Sequence, residues 1–365
     1  MGLKCGIIGV ANTGKTTLFN CISNTKAEVS EAAFNNSKPN ISIINVPDPR
    51  LIDLEKLQPT EKVTPATVEI VDIPGLTKSS EGNGVSGNKF LADIRNTDAL
   101  VHVLRCFDAP ALPHVEGPVD PVRDMDTVNL ELQVKDLESV EKKLEKTEKL
   151  VRAGNKQVMK EYETLQIFKK HLESFKPART APVSDDDRTL VADLCLLSDK
   201  PVIYVCNVDE QSATSGNHYV KKVKEAVSNE DIEILVVAAA LEAEIAELDD
   251  QDERLMFLSG YGLDEPGVNR LVRAAYRMLK LQTFFTIGPD EIRGWTIKMN
   301  TIARQAAGAI HSDIERGFIR AEVIKYNDFI TLGSEAKCKA AGKLMVEGKN
   351  YMVEDGDLMC FRFNV

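Results

Sequence analysis

Gly9-Val-Ala-Asn-Thr-Gly-Lys-Thr16 has the spacing G-x-x-x-x-G-K-[ST], the pattern of a loop that wraps phosphate. Backbone N–H groups across Asn12, Thr13, Gly14, Lys15, Thr16 and Thr17 would cradle a nucleotide's phosphates, and the following helix adds its dipole. Lys15 would reach the β- and γ-phosphates as the catalytic cation, and the Thr16 hydroxyl would ligate Mg²⁺. About sixty residues on, Asp72-Ile-Pro-Gly75 supplies a carboxylate for the Mg²⁺ shell and a Gly75 N–H that senses the γ-phosphate.

Asn207-Val208-Asp209-Glu210 stands where guanine-specific proteins carry N-K-x-D. Val208 replaces the Lys, Glu210 takes the Asp position, and Asp209 falls one place early, so it should point elsewhere. A longer Glu crowds guanine, and Asn207 could accept from an adenine amine; alternatively Glu210 is a loop residue and GTP still binds. Leu76 sits where a Gln usually orients the attacking water, so hydrolysis is slow or uses another group. His114 is the candidate, against the plainer role of a loop hydrogen-bonder. Asn12 either caps the loop or holds K⁺ beside the phosphates.

The elements that must position these residues follow from apolar patterning. Strands are expected at Leu3–Gly9, Ile41–Val46, Thr67–Asp72, Ala99–Cys106, Pro201–Asn207 and Ile232–Ala238, alternating with helices. That rhythm predicts a doubly wound, mostly parallel α/β sheet. From Asp124 to Arg152 a charged helix carries Leu130, Leu137, Leu144 and Val151 seven apart. Gly154-Asn155 breaks it, and a second helix follows with Val158, Tyr162, Leu165, Phe168, Leu172 and Phe175 on one face. The two should form an antiparallel hairpin, with Lys149, Arg152, Lys156 and Lys160 at its tip. After Leu281, strands at Phe284–Ile287, Trp295–Met299, Phe318–Val323 and Leu358–Asn364 surround a helix at Ala303–Ile314, a separate α+β unit.

Composition narrows the class. Over 365 residues, 43% hydrophobic and 28% charged content describe a soluble protein with no bilayer-spanning run. The N-terminus leads straight into the first strand, so no signal peptide is expected. A net charge of −11 opposes indiscriminate nucleic-acid binding, although a local basic patch could dock on RNA, and no specific DNA partner is expected. The seven cysteines hold no Cys-x-x-Cys; Cys5, Cys106 and Cys206 read as small core residues of a reducing, cytoplasmic protein.

Taken together, these residues resemble the Obg-like ATPases of the YchF subfamily over essentially the whole chain. The resemblance is carried by the phosphate loop with Asn12, Val46-Pro-Asp-Pro-Arg-Leu51, Asp72-Ile-Pro-Gly-Leu76, Gly87-Asn-Lys-Phe-Leu91, His102-Val-Leu-Arg-Cys-Phe107, Asn207–Glu210 and Ala246-Glu-Leu-Asp249. Ala306–Ala321 and Asp355–Val365 add specific C-terminal signatures. It implies an α/β P-loop G domain (1–120 and 184–280) interrupted by a helical hairpin (121–183), then a β-grasp TGS domain (281–365). It also implies ATP preferred over GTP through Asn207 and Glu210, hydrolysis to ADP and phosphate with Mg²⁺ and help from K⁺ at Asn12, assistance from His114, and association with ribosomes, either the large subunit or the whole particle. Contacts to the ribosome or other protein partners would come from the hairpin tip and from Arg304, Arg316, Arg320 and Lys325. One departure stands out: aligning on Pro39-Asn40 puts Asn36 where family members place a Mg²⁺-binding Thr, so Asn36 becomes the candidate ligand, with Ser37 as the substitute after a local shift. A conventional ribosomal GTPase, or a nucleotide sensor that barely turns over, are the alternatives.

Overall fold

The structure, a computed structural model, describes residues 3–23, 40–74, 85–112, 114, 117–248 and 250–364, without the side chains of 85–89 and 251. Its first sheet is built from short apolar runs, buried on both faces except at the edges. These are β1 (Lys4–Ile8), β2 (Asn40–Asn45), β4 (Thr67–Asp72), β5 (Ala99–Cys106), β6 (Val202–Val208) and β7 (Ile234–Val237), in the order β2-β4-β1-β5-β6-β7. All neighbours run parallel except β2, which pairs antiparallel with β4 at the edge. Strand order reverses between β1 and β5, the crevice where open α/β sheets bind ligands.

Helices cover both faces because near-continuous Val/Ile/Leu runs leave neither face fit for water. On one side α1 (Lys15–Ser23) and α10 (Gly267–Met278) bury Leu18, Ile22, Leu271 and Ala275 against Ile7, Val101 and Val205. On the other, α3 (Val85–Arg95), α4 (Pro121–Arg152), α7 (His218–Ala226) and α8 (Ala239–Glu247) pack on Ile8, Leu104 and Tyr204.

The helical hairpin forms as expected, with two corrections. Asp120 caps α4 by accepting from Val122 N and Arg123 N, so the helix starts at Pro121, before Asp124. Gly154, at φ +85°, turns the chain, and α5 (Met159–Glu173) returns along α4. The hairpin core is Val140, Leu165, Phe168 and Leu172, while Leu130 is exposed. The reason is that the first turns of α4 pack on the sheet through Met125, Val128 and Leu132, which turns Leu130 outward. Phe175 also departs from the expected stripe. It lies beyond the end of α5 in the left-handed region, 75% exposed. The short α6 (Asp185–Thr189) leads back to the sheet, and α9 (Gln251–Gly260) follows α8.

The second sheet has the order β11-β10-β12-β8-β9-β3. It combines β8 (Leu281–Ile287), β9 (Glu291–Lys298), β10 (Phe318–Ile324), β11 (Met345–Glu347) and β12 (Leu358–Phe363) with β3 (Lys62–Thr64), which comes from between β2 and β4. The β3 strand pairs parallel to β9 through Lys62↔Glu291, Val63↔Ile292 and Thr64↔Arg293. Three polar or β-branched residues carry too little apolar signal to reveal such a strand in sequence. One face of this sheet holds α11 (Ala303–Ile310) over Phe284 and Ile297; the other holds α2 (Pro49–Leu57) and α13 (Tyr326–Leu332) over Phe285 and Ile292. The expected helix Ala303–Ile314 is in fact two. His311 is extended at φ −161° and its Nδ1 accepts from Asp313 N, so α12 (Ser312–Arg316) starts afresh. The small α14 (Glu335–Ala340) completes the unit.

Candidate nucleotide site

The loop between β1 and α1 is shaped by two glycines. Gly9, at φ +148°, lies so close to β5 that a Cβ would come within 2.5 Å of the Val103 carbonyl. Gly14, at φ +92°, lies against the Asn207 amide. Both positions are closed to L side chains. Asn12 is also left-handed, at φ +63°, a conformation its short amide tolerates. The loop lines a cavity of about 360 Å³ with Asn12, Thr13, Gly14, Lys15, Thr16 and Thr17, closed by Phe107, Leu112, Asn207, Ala239 and Ala240.

Charge in this cavity is poised for an anion. Lys15 is 6% exposed, and its Nζ donates to the Val10 carbonyl at 2.5 Å. Burial pulls its ammonium down to about 8, against the opposing pull of the Asp72 carboxylate. Asp72 is half-buried at the end of β4, and burial raises its carboxyl although Lys15 works the other way. A dry ammonium and a partly dry carboxylate both gain when phosphate and a divalent cation arrive. The Thr16 side chain is exposed on the same loop, and hydroxyl and carboxylate oxygens such as those of Thr16 and Asp72 are the donors a hard cation takes. Asn36, Ser37, Gly75 and Leu76 lie outside the described residues.

A second cavity, of about 610 Å³, shares Phe107, Asn207 and Ala240 with the first and adds Asp108, Val208, Asp209 and Glu210. The two cavities thus adjoin across Phe107, Asn207 and Ala240. Asn207 does something its sequence position did not suggest. Its Nδ2 donates to Thr13 O and its Oδ1 accepts from Ala239 N, both at 2.9 Å. The amide ties the phosphate loop to the start of α8, and its carbonyl oxygen is already engaged. Glu210 is half-exposed and accepts a hydrogen bond from the Tyr261 phenol. Asp209 turns back to cap Ser212 N at 3.0 Å, as its early position predicts.

His114 is not among the residues that line the phosphate-loop cavity. Its Nε2 meets Asp124 Oδ2 at 2.8 Å and its Nδ1 meets Arg123 Nη2 at 3.2 Å, with the ring 1% exposed. An arginine only donates, so Nδ1 accepts and Nε2 carries the proton. Neither nitrogen is free to take a proton from water in that position, because α4 starts early enough to bring Asp124 and Arg123 around the ring.

Arg105, Phe107 and Tyr261 escaped the sequence reading as site residues. Arg105 is a fully buried cation whose Nε and Nη2 donate to the Phe107 and Ala109 carbonyls, and its guanidinium stacks 4.8 Å from the Phe107 ring. It braces the segment that walls the cavity. The apolar run around it, His102-Val-Leu-Arg-Cys-Phe107, held the signal: an Arg in a buried strand needs a purpose.

The expected surface contacts are partly engaged within the chain. Arg152 pairs with Glu148 at 2.6 Å and Lys160 with Asp187 at 2.5 Å, while Lys149 and Lys156 are exposed. In the C-terminal unit Arg316 pairs with Asp313 and Arg320 with Glu322, Arg304 donates to the Glu315 carbonyl, and Lys325 joins Asp357 and Glu354.

Residues 4–158 match the MMR_HSR1 family, described as "50S ribosome-binding GTPase", and residues 281–364 match YchF-GTPase_C, described as "Protein of unknown function (DUF933)". The chain is 45% identical to a Bacillus subtilis protein and 43% identical to one from Escherichia coli O157:H7, both named "Ribosome-binding ATPase YchF", with all of each chain covered. A solved structure of the Schizosaccharomyces pombe YchF GTPase superposes with a TM-score of 0.88 at 33% identity, covering 99% of this chain and 98% of that one. No helix among the described residues is long and apolar enough to cross a membrane.

Proposed function

This chain belongs to the YchF family, and from that premise we propose that it is a ribosome-associated nucleotide switch that hydrolyses ATP, in preference to GTP, to ADP and phosphate. The observation that carries the reading is a pair of adjoining cavities, one lined by Lys15 and Thr16 and the other by Val208 and Glu210, with Asp72 in the electrostatic field of Lys15. Lys15 neutralises the β- and γ-phosphates, and loop N–H groups from Asn12 to Thr17 hold them. Thr16 and Asp72 would hold Mg²⁺, which supplies charge compensation on the phosphates when bound. In this reading Asn36 joins that shell, the Gly75 N–H senses the γ-phosphate, and Asn12 directs its side-chain oxygen to K⁺. At the base, discrimination falls to Glu210 and the apolar Val208, since the Asn207 carbonyl already serves Ala239 N.

His114 assists hydrolysis only if it leaves Asp124, so turnover is slow and conditional on that release. Loss of the γ-phosphate relaxes the loops around it and changes how the hairpin and the C-terminal unit meet the ribosome. Lys149 and Lys156 are the tip residues best placed for that contact, being exposed cations. The names of the Bacillus subtilis and Escherichia coli relatives support both the ATPase and the ribosome assignments. A GTP-preferring reading draws on the engaged Asn207 amide, which leaves less of the base to be read by hydrogen bonds.

One experiment separates these readings. Fluorescent ATP and GTP analogues are titrated against the protein and competed by the unlabelled nucleotides, with phosphate release followed in parallel against Lys15→Ala. Tighter ATP binding that relaxes by about tenfold, roughly 1.4 kcal/mol, in the Val208→Lys, Glu210→Asp double variant supports the ATPase. Tighter GTP binding overturns it in favour of the GTPase. Release no faster than in Lys15→Ala leaves a nucleotide sensor.

A further inference from the structure

Two motifs that the nucleotide chemistry does not use meet in space. In Val46-Pro-Asp-Pro-Arg-Leu51, Asp48 caps α2 and accepts from Arg50 Nη2 at 2.7 Å. Arg50 Nη1 then donates to Asp355 Oδ2 at 2.7 Å, and Asp355 Oδ1 accepts the Thr283 amide of β8 at 2.9 Å. The guanidinium lies 5.0 Å over the Phe285 ring and presses on Gly356, where a Cβ would approach Nη1 to 2.8 Å. Leu51 and Leu54 sink into the core of the C-terminal sheet, and Tyr326 Oη donates to Asp53 at 3.1 Å.

The same segment is the far end of the β2–β4 hairpin. Here Asn45 faces Thr67, whose N–H and carbonyl both bond the Thr296 hydroxyl of β9, at 3.2 and 2.9 Å. At the other end Asn40 faces Asp72, which lies beside Ile7 of β1 and shares its field with Lys15. Six residues of strand separate the two ends, a rod of about 20 Å.

We propose that this hairpin couples the nucleotide site to the C-terminal sheet, and that Arg50 is the positioning residue that fixes its far end. The inference rests on the nucleotide reading above. A strand pair braced at both ends moves as a unit, so a shift of Asp72 on phosphate binding reaches β8 and β9 through Thr67 and Arg50. Reciprocity follows: whatever binds the C-terminal sheet and shifts the hairpin changes nucleotide affinity by the same factor. The arginine fork grips Asp48 and Asp355 together, which a lysine cannot do.

Hydrogen exchange of the full chain, with and without a non-hydrolysable ATP analogue and Mg²⁺, tests this on samples whose dissociation constants are measured alongside. Peptides across 281–298 and 355–363 should change exchange when the wild type is saturated. In Arg50→Ala the analogue should bind within about threefold of wild type, and peptides at the phosphate loop should still respond, while the C-terminal response is lost. Arg50→Lys should restore part of it. A merely structural role would alter exchange equally with and without nucleotide. If Arg50→Ala does not fold, Thr296→Val and Asp355→Asn carry the same expectation. A C-terminal response undiminished in these variants, or absent from a wild type that binds the analogue, overturns the proposal. Failure of the nucleotide reading has a different signature, a wild type that does not bind the analogue at all.

Discussion

Lys15 shows how one residue type at one position becomes chemistry. Its ammonium is held in a dry loop that lowers it to about 8, and a polyphosphate beside it would raise it again. The sign follows: below pH 8 Lys15 is charged before and after binding, and affinity is flat. Above pH 8 binding must take up a proton, so ATP affinity should fall by up to about tenfold per pH unit. Titrations from pH 7 to 9.5 would reveal that slope, and Lys15→Met should weaken binding at pH 7 by at least about tenfold. Asn207 makes a contrasting prediction. Replacing it with Ala orphans the buried Ala239 N–H and the Thr13 carbonyl, so urea unfolding should show a loss of about 2–4 kcal/mol. ATP and GTP affinities should fall together, because the amide holds the loop rather than reading the base. The N-x-x-E spacing was legible in sequence, but the engaged amide was not, since its partners are 194 and 32 residues away.

At the scale of elements, α4 does two jobs that its heptad-like leucines hide. Its first turns belong to the sheet domain and its later turns to the hairpin, and the join is marked by Asp136. That buried carboxylate accepts from Leu197 N and Ser198 N at 2.7 Å and from the Ser198 hydroxyl at 2.6 Å. Burial pushes it up to about 6 in spite of those three donors. Asp136→Ala leaves two buried N–H groups unpaired and should cost about 2–5 kcal/mol in urea unfolding. Asp136→Asn, which keeps one acceptor, should cost less. The periodicity showed that a long amphipathic helix exists here; which stripe is buried depends on a neighbour, and the neighbour changes along its length.

For the molecule as a whole, the consequence of β3 is that the second sheet is not complete within its own stretch of chain. Leu54 is fully buried among residues of the C-terminal sheet, and β3 forms that sheet's edge. The two sheets should therefore unfold together. The protein's one tryptophan, Trp295, sits in β9 beside β3 and reports on the second sheet alone. Its fluorescence transition in urea should coincide with the far-UV circular dichroism transition of the whole chain. Leu54→Asp should separate them, with the tryptophan transition moving to lower urea.

Local spacing determined the phosphate loop, the strands that flank it, the hairpin and the presence of a separate α+β unit at the C-terminal end, because each is written in consecutive residues whose backbone needs and apolar periods are short-range. Thr67–Asp72 and Ala99–Cys106 were readable to the residue for that reason. Tertiary structure alone decided what His114, Asn207, Arg50 and β3 do. Their partners are distant in sequence or, like Asp124 for His114, depend on where a helix begins. Hydrogen-bonding side chains and three-residue strands carry no periodicity of their own, so only the packed fold assigns them.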